Sequence, residues 1–534
     1  MIQISNLSIS IYKSKDDLLK KVAKELKVKQ TDIIKFDVIK KSIDARKKED
    51  VKYVYSLAVE VKEETKLLKK LAGSINISKY EESTYTLPQQ GGINLKHRPV
   101  VLGFGPAGIF AALSLARCGF KPIVIERGED VDKRTLSVDK FWEENELNTE
   151  SNVSFGEGGA GTFSDGKLNT LVKDKFGRNN EVLKTLVKFN APKDILTDPK
   201  PHIGTDLLKG IIKNIREEII RLGGEVRFSS KLEDIDYKDG HLQSIKLNNG
   251  EILDCRVLVL AIGHSARDTF ELLYEKKLNI EAKSFAVGLR VQHPQSMINI
   301  SQYGKEAAEL LPTASYKLTT KSSAARGVYS FCMCPGGYVV NASTEKGGLA
   351  INGMSYHDRK SESANSAIIV TVDAKDFSDK TPLASMYFQK ELESICYKAG
   401  DSFIPVQLLG DFIKGRESVA LGETKPCFKG KYTFCRLDKI LPDFIVLALK
   451  EAFAAFDKKI QGFAREDAIL AAIESRTSSP IRIVRDENLE ASVRGIYPCG
   501  EGAGYAGGIS SAAMDGLKVA EAIISKYNNS LINS

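Results

Sequence analysis

The 534-residue sequence has no apolar run that is long and unbroken enough to span a bilayer. Its longest apolar stretch, residues 100–116, is interrupted by three glycines and by Pro106, which suit a turn rather than a membrane helix. The first residues contain no basic segment followed by an apolar one, so no secretory signal is expected. These absences predict a cytoplasmic protein without a membrane partner.

The sequence also lacks internal repeats, low-complexity tracts and a cysteine framework. Its 8 cysteines are scattered, most of them in apolar surroundings, which favours reduced thiols over disulfide bonds. Hydrophobic residues make up 42% and charged residues 27%, as in ordinary globular proteins. Because one core rarely grows beyond about 250–300 residues, a chain of this length is expected to form about two to three domains.

The net charge of +8 is confined to one end of the chain. Residues 1–98 contain 21 Lys and Arg against 13 Asp and Glu, whereas the remainder is balanced. A basic segment of this kind either meets an acidic partner or forms an ordinary solvated surface. The solvated surface is the favoured interpretation, because lysine-rich faces are common.

Residues 1–90 are predicted to form a small basic α/β module. Ser14 followed three residues later by Asp17 is a capping-box pattern, which begins a helix. The hydrophobic pattern then predicts strands at 33–41 and 51–61 and a short helix at 64–71. The segment 83–97 contains a proline and two glycines and is predicted to be a linker.

The strongest local pattern is a glycine-rich turn between an apolar strand and a helix. It has the form G-x-G-x-x-G and comprises Gly103, Gly105, Pro106, Ala107 and Gly108. The first glycine permits the tight turn, the second lets the backbone approach a pyrophosphate, and the third lets helix and strand pack closely. The free amides and the positive dipole end of the helix favour the phosphate charge.

A carboxylate ends the strand that follows this helix. Glu126 lies 18 residues after Gly108, at the end of the predicted strand 122–126, and Arg127 comes next. A carboxylate at this position accepts hydrogen bonds from ribose hydroxyls and disfavours a 2′-phosphate. The βαβ unit therefore predicts FAD or NAD rather than NADP.

Further glycine-rich segments favour FAD over NAD. Residues 156–167 form a glycine-dense loop whose candidate cofactor contacts are Gly158, Gly159, Gly161, Thr162 and Lys167. An apolar strand ends at Gly263, and a glycine-rich turn at 495–508 leads into a helix at 509–523. A simple NAD dehydrogenase has no need for this last element. No second βαβ unit with a complete G-x-G-x-x-G turn is present, so a dedicated NAD(P)H domain is not indicated.

These segments carry a resemblance to a known group of proteins. The chain resembles FAD-dependent flavoproteins of the glutathione-reductase-like superfamily, in the branch with one dinucleotide fold and an inserted substrate domain. It looks most like the bacterial family of uncharacterised FAD-dependent or NAD(FAD)-utilising dehydrogenases, and it is more distantly similar to aminoacetone-oxidase-like and dehydro-bile-acid-reductase-like flavoproteins. Besides the βαβ unit, the matching segments are 326–337, 352–355, 474–480 and 500–508.

The resemblance implies a fold class and a domain order. The expected fold is α/β, with a Rossmann-like FAD-binding domain that is split in sequence, an inserted mixed α+β substrate domain and the small N-terminal module. The expected ranges are 1–90 for the module, 98–280 for the first part of the FAD-binding domain, 281–475 for the insert and 476–534 for the C-terminal part of the FAD-binding domain.

The resemblance also implies cofactor contacts near the C-terminus. Gly500 and Glu501 match a Gly-Asp motif whose carboxylate holds the ribityl and pyrophosphate side of FAD, with Glu in place of Asp. The amides of Gly508 and Ile509, at a helix start, are expected to face the flavin edge that becomes negative on reduction. Leu232 is expected to offer its backbone to the adenine.

Candidates for the chemistry are fewer, since a flavin supplies its own hydride chemistry. His264 follows the turn at Gly263 and Arg267 lies three residues on, so both are candidates to face the cofactor, with a surface or capping role as the alternative. His357, in the insert, is a third candidate acid. No metal site is expected.

Cys332 and Cys334 lie on a predicted strand at 328–334 and are expected to share one face. A redox relay to flavin is one interpretation, but alternate cysteines in a strand do not usually close a relaxed disulfide. Half of a metal site is another, without a second pair to complete it. Small buried packing residues are favoured, with substrate contact second.

The sequence therefore predicts an FAD-dependent oxidoreductase that transfers hydride between FAD and a small organic substrate. Its electron donor or acceptor is left open between NAD(P)H and a carrier protein. One alternative is an RNA-modifying flavoenzyme in which Tyr53 and Tyr55 of the basic module stack on bases. Nucleic acid is the less favoured partner, since the insert shows no basic stripe. The other alternative is a flavin-binding sensor without catalysis.

Overall fold

The computed structural model describes residues 1–82, 84–377 and 379–532. Ser83, with which the predicted linker begins, lies outside the described residues, as do the last two residues of the predicted C-terminal segment. The N-terminal elements are β1 (Ile2–Ser10), α1 (Lys15–Leu26), β2 (Ile33–Asp44), β3 (Lys52–Val61), α2 (Glu64–Lys70) and β4 (Ile77–Lys79).

The N-terminal module is a four-stranded antiparallel sheet with strand order β2-β3-β1-β4. The predicted capping box is confirmed: the Ser14 hydroxyl accepts from the Asp17 amide at 3.2 Å, and the Asp17 carboxylate accepts from the Ser14 amide at 3.1 Å. The strands β1 and β4 were not predicted. β1 is nevertheless central, since it pairs on both sides and buries Ile2 and Ile4.

Residues 93–275 supply most of the part of the molecule that contains the predicted dinucleotide-binding unit, which we call the dinucleotide half. The elements are β5 (Ile93–Asn94), β6 (Val100–Leu102), α3 (Pro106–Arg117), β7 (Ile123–Ile125), α4 (Val131–Glu144), α5 (Arg178–Lys188), α6 (Thr205–Arg221), β8 (Glu225–Arg227), β9 (Leu232–Lys238), β10 (His241–Leu247), β11 (Ile252–Asp254), β12 (Leu258–Leu260) and α7 (Arg267–Glu275).

Residues 280–474 contain a second set of strands and helices. They are β13 (Ile280–Ala282), β14 (Phe285–Pro294), α8 (Gln295–Tyr303), α9 (Lys305–Ala308), β15 (Thr319–Lys321), β16 (Gly327–Cys334), β17 (Tyr338–Asn341), β18 (Ile351–Met354), β19 (Ser363–Val372), α10 (Ala384–Ala399), β20 (Ile404–Leu408), α11 (Leu409–Lys414), β21 (Phe428–Lys429), β22 (Tyr432–Phe434), α12 (Leu437–Ile440), α13 (Asp443–Asp457) and β23 (Ile469–Glu474). The chain ends with β24 (Ile481–Ile483), β25 (Ile496–Pro498), α14 (Ile509–Lys526) and β26 (Tyr527–Asn528).

A five-stranded parallel sheet joins the two ends of the chain. Its order is β8-β7-β6-β12-β25, so the C-terminal strand β25 lies beside β12. β6, β7 and β12 are almost wholly apolar, as expected for strands with both faces covered. The fold is mixed α/β and Rossmann-like, and ligands of such sheets bind at the carboxyl ends of the strands, where the strand order reverses.

The other large layer is a seven-stranded mixed sheet with order β15-β16-β19-β14-β23-β20-β22. Its central strands β14 and β19 are buried almost throughout. The strand β23 ends at Glu474 and β16 ends at Cys334, and both ends face the dinucleotide half. Within the described part of the chain, no helix combines the length and the hydropathy that crossing a bilayer requires.

The contact between α3 and α14 predicts different effects for two helical glycines. A Cβ added at Gly516 would stand 2.2 Å from the Ala107 carbonyl oxygen, whereas a Cβ at Gly210, on the exposed face of α6, meets nothing within 4 Å. Gly516→Ala is expected to lower the free energy of unfolding by about 1–3 kcal/mol through overpacking. Gly210→Ala is expected to raise it by up to about 1 kcal/mol, because alanine favours a helix. Urea unfolding of both variants measures this, and equal stabilities would contradict the packing of α14 on α3.

Candidate functional site

Glycine-rich segments from both ends of the chain line one large cavity at the carboxyl ends of the parallel strands. The empty space inside its lining is about 1360 Å³, which includes the part that is open to solvent. The starts of α3 and α14 meet there, and a Cβ added at Gly500 would lie 2.7 Å from the Ala107 Cβ. Two segments that are far apart in the sequence therefore meet at this cavity.

The glycines of the first turn act as the sequence predicts. Gly103 has φ +96°, and a Cβ there would stand 2.3 Å from the Ala261 carbonyl oxygen. A Cβ at Gly108 would stand 1.9 Å from the Gly103 carbonyl oxygen, so only glycine lets α3 pack on its strand. Gly105 has space in front of its backbone and a neighbour in Gly159, whose added Cβ would lie 2.9 Å from the Gly105 Cα. Bare backbone therefore faces the cavity from two loops.

The carboxylate of Glu126 joins three separate backbone segments at the edge of the cavity. It accepts from the amides of Phe104 at 2.8 Å, Gly128 at 2.9 Å and Gly156 at 2.9 Å. Glu126 is buried and lines the cavity, so its remaining lone pairs are available to a ligand hydroxyl. This arrangement fits the ribose contact that its position in the sequence predicts.

The glycine-dense loop that follows is held from behind by a buried arginine. The Arg134 guanidinium donates to the carbonyls of Asn152, Val153 and Glu157 at 2.8, 3.0 and 2.6 Å. Burial lowers the pKa of Arg134 to about 10, which leaves it charged at neutral pH. A Cβ at Gly156 would strike the Arg134 side chain at 2.4 Å. The sequence analysis did not identify Arg134, because nothing local marks it as a loop anchor.

Most of the predicted cofactor residues line the cavity. These are Gly103, Gly105, Pro106, Ala107, Glu126, Arg127, Gly159, Gly161, Leu232, Gly263, Glu501, Gly508 and Ile509. Arg127 lies over the Phe155 ring at 4.2 Å and pairs with Asp268 at 2.9 Å, so the surroundings hold its guanidinium at the adenosine end of the cleft.

Five predicted cofactor residues lie behind the cavity wall instead, which corrects the expectation of direct contact. Gly108 and Gly500 allow the close packing described above. Gly158 has φ +85° and makes the turn into the glycine loop. The Thr162 hydroxyl donates to the Glu157 carbonyl at 3.2 Å, and Lys167 pairs with the buried Asp165 at 3.2 Å. Their roles are to shape the loop rather than to contact the ligand.

Of the candidates for the chemistry, His264 lies in the cavity wall. Its Nδ1 is 3.2 Å from the Glu501 carboxylate, and only 12% of its side chain is exposed. Its Nε2 is buried and has no hydrogen-bond partner among the described residues. A buried polar nitrogen of this kind normally has a partner, so its position fits a bound ligand.

The other two candidates are placed differently, and the expectation that they face the cofactor is corrected. Arg267 is buried, and its guanidinium makes a bidentate ion pair with Glu393 at 2.8 and 2.9 Å. It lies at the first position of α7 and turns away from the cavity, since a buried guanidinium needs a carboxylate partner. His357 stacks on His202 at 5.3 Å, and its Nδ1 contacts the Ile203 carbonyl at 2.9 Å.

Residues 280–477 supply the wall opposite the dinucleotide loops. The side chains that line it are Phe331, Cys332, Asn352, Glu474, Arg476 and Thr477. Glu474 is buried and pairs with Arg290 at 2.9 Å, and burial raises the pKa of its carboxyl. Arg476 pairs with Glu393 at 2.8 Å, the carboxylate that also holds Arg267. The sequence marked the segments 352–355 and 474–480 through the resemblance, but not which side chains face the ligand.

The cysteine strand departs from its predicted regularity. A bulge in β16 separates the pairs Phe331–Ala367 and Cys334–Asn365, so the alternation of faces ends before the second cysteine. Cys332 lines the cavity, whereas Cys334 is buried behind it. Among the described residues, no group of three or more His, Cys, Asp or Glu side chains is arranged to hold a metal ion.

The two tyrosines of the basic module pack partly within the module itself. Tyr53 and Tyr55 lie edge to face at 6.2 Å and pack against the apolar core of the module. The Lys41 ammonium lies 3.9 Å from the centre of the Tyr53 ring. The module also contacts the body of the molecule, because the Lys41 amide donates to the Thr197 carbonyl at 2.9 Å. Base stacking by these rings stays an untested prediction.

Comparison with known proteins supports FAD as the ligand of this cavity. Residues 284–477 match the family model described as FAD-dependent protein, C-terminal domain-like, and residues 1–60 match a domain of unknown function, DUF8436. Together with the glycine turns, this defines an FAD-binding flavoprotein, and FAD is the cofactor of the site. An uncharacterized protein of Clostridium beijerinckii is 54% identical over 532 residues, covering 99% of both chains. The chain belongs to the same family as this clostridial protein.

Solved structures show a more distant likeness. L-Proline dehydrogenase from P. horikoshii is 15% identical, with 80% of this chain and 93% of that chain covered and a TM-score of 0.32. Glycine oxidase from Bacillus cereus is 9% identical, with coverages of 82% and 100% and a TM-score of 0.31. Glycerol-3-phosphate dehydrogenase from Bacillus halodurans, complexed with FAD, is 12% identical, with coverages of 80% and 64% and a TM-score of 0.34.

The Glu126 carboxylate gives a direct test of the cofactor site. Glu126→Gln replaces one acceptor oxygen by an amide that faces a backbone N–H, which costs about 1.5–3 kcal/mol for a charged hydrogen bond. The dissociation constant for FAD, measured by fluorescence titration of the apoprotein, is expected to rise about 10–100-fold. Glu225→Gln is the matched control, since Glu225 pairs with Arg98 and Arg227 away from the cavity. An unchanged FAD affinity in Glu126→Gln would contradict the site.

Proposed function

We propose that this protein is an FAD-dependent oxidoreductase that transfers hydride between FAD and a small organic substrate. The observation that carries the proposal is the composition of the cavity. One side is bare backbone suited to a dinucleotide, and the other side is a wall of polar and ionisable side chains from residues 280–477. A protein that only stored FAD would not need buried ionisable groups on the side away from the dinucleotide loops.

The residues of this chain would divide the work between two ends of the cleft. The turn at Gly103–Gly108 and the start of α3 would hold the pyrophosphate, and Glu126 the ribose. The backbone at Gly508 and Ile509, at the start of α14, would face the flavin, where a helix N-terminus favours negative charge. When bound, FAD supplies the hydride chemistry.

His264 is the side chain best placed to move a proton. Its Nδ1 is oriented by Glu501, and its Nε2 is buried without a partner among the described residues. A carboxylate that fixes one ring nitrogen sets the tautomer of the imidazole. We therefore assign proton transfer to or from the substrate to His264 Nε2.

The proposed electron donor or acceptor is NAD(P)H or a carrier protein that reaches the flavin from outside. The parallel sheet β8-β7-β6-β12-β25 would use the G-x-G-x-x-G turn between β6 and α3 for FAD. A nicotinamide cofactor would therefore share the open side of the cavity with the substrate. The proposed partner is a small molecule, with nucleic acid as the less favoured partner, and the proposed location is the cytoplasm.

Spectroscopy of the purified protein tests the proposal. The expected result is a yellow protein with bound FAD, whose visible absorption is lost under anaerobic conditions on addition of NADH, NADPH or a small alcohol or amine. A colourless protein that ignores added FAD would overturn the assignment. A yellow protein that dithionite bleaches but no organic donor does would favour the sensor instead.

The His264 variant tests the assigned proton transfer. His264→Asn is expected to lower the turnover rate by about 10²–10⁴-fold, the usual contribution of general acid–base catalysis. The content of bound FAD is expected to stay near that of the wild type, because the glycine turns are untouched. His241→Asn is the control, since His241 lies exposed at the start of β10. Steady-state assays with the first substrate found to bleach the flavin measure the effect, and wild-type turnover in His264→Asn would refute the assignment.

A further inference from the structure

The bulge in β16 gives its two cysteines an unusual backbone. In a regular strand, residues two apart are separated by about 6.5 Å and their side chains run parallel. A disulfide needs Cβ atoms within about 3.5–4.5 Å, so a regular strand does not close one between such residues. Here Cys332 has φ +43°, in the left-handed region, and the bulge adds one residue to β16 relative to β19. The regular-strand objection does not apply to this pair.

The second thiol lies close to the first cysteine. The Cys334 thiol donates to the Cys332 carbonyl oxygen at 3.2 Å, and the interaction of the two side chains shifts the pKa of both thiols. Cys332 lines the FAD cavity beside Phe331, while Cys334 is fully buried behind it. One sulfur is therefore accessible from the cavity, and the other is positioned to react with it.

Two cations lie against this pair, the partly exposed Lys167 and the fully buried Arg290. The Lys167 ammonium is 3.9 Å from the Cys334 sulfur, and the Arg290 guanidinium is 4.0 Å from it and donates to the Cys332 carbonyl at 3.1 Å. The Cys334 thiol and these two cations hold the pKa of the Cys332 thiol well below its usual value. The thiolate is the reactive form of cysteine, and positive surroundings of this kind are typical of redox-active thiols.

The carboxylates in the neighbourhood are themselves neutralised. Asp165 pairs with Lys167 at 3.2 Å and with Arg359 at 2.6 Å, and Glu474 pairs with Arg290. The cations thus keep partners in both redox states of the cysteines. This arrangement lets the pair lose its negative charge on oxidation without leaving a single buried cation unpaired.

We propose that Cys332 and Cys334 form a redox-active dithiol that closes to a disulfide by reducing FAD bound in the cavity and reopens by the reverse reaction. In the closing direction the S–H bond of Cys334 is lost and one S–S bond forms between its sulfur and the Cys332 thiolate. The two electrons and the one proton released balance the two-electron, one-proton reduction of FAD to its anionic reduced form. The proposal rests on the proposed function, since FAD must occupy the cavity beside Cys332. It makes dithiols and disulfides a further class of redox partner for the bound FAD.

The test counts reducing equivalents in the FAD-loaded, full-length protein. The protein is first oxidised with potassium ferricyanide and freed of it, then titrated anaerobically with dithionite. The wild type is expected to consume twice the equivalents needed for its FAD, because the disulfide takes two electrons as well. The variants Cys332→Ser and Cys334→Ser are expected to consume only the reducing equivalents that their FAD requires. Cys118→Ser, at the end of α3 and outside the cavity, is the control and is expected to match the wild type.

A second measurement does not depend on the variants folding. Wild-type protein taken before and after reduction is denatured, alkylated with iodoacetamide and mapped by mass spectrometry. In the oxidised sample the peptide with Cys332 and Cys334 is expected to be unlabelled and lighter by two hydrogens, while the other cysteines are labelled. Full labelling of both residues in oxidised protein that contains FAD would overturn this inference alone. Failure to bind FAD would instead overturn the proposed function and, with it, the exchange with flavin.

Discussion

The cofactor site depends on the way one carboxylate joins three pieces of backbone. Glu126 accepts from the amides of Phe104, Gly128 and Gly156, which belong to the phosphate turn, the end of β7 and the glycine-dense loop. Buried amides that lack an acceptor are costly, so the carboxylate fixes the three segments relative to one another. The cavity in front of them is thereby formed before any ligand enters, which lowers the ordering cost of binding.

The same site needs glycine where chain segments approach most closely. Ala107, at the start of α3, is approached by Gly500 in the turn after β25 and by Gly516 within α14. The C-terminal part of the chain thus closes a site that begins at residue 103. Residues between these ends add the seven-stranded sheet, which brings Glu474 and Cys332 to the opposite wall. The ligand cleft lies between backbone that suits a nucleotide and side chains that suit chemistry.

The sequence predicts the local parts of this arrangement well and the long-range parts poorly. The turn at Gly103–Gly108 and the capping box at Ser14 follow from short patterns with a fixed physical cause. The strand β1 was missed although it is central. Arg267 was misplaced, because its partner Glu393 is far away in the sequence. The anchor Arg134 and the bulge at Cys332 depend on tertiary contacts that no window of sequence contains.

The structure of the protein with FAD bound tests the central claim most directly. The account predicts the pyrophosphate on the amides of the Gly103–Gly108 turn, a ribose hydroxyl on Glu126 and the flavin between the start of α14 and the wall that contains Cys332. FAD bound elsewhere on the molecule, or lying across the cavity without contact to both glycine turns, would contradict it.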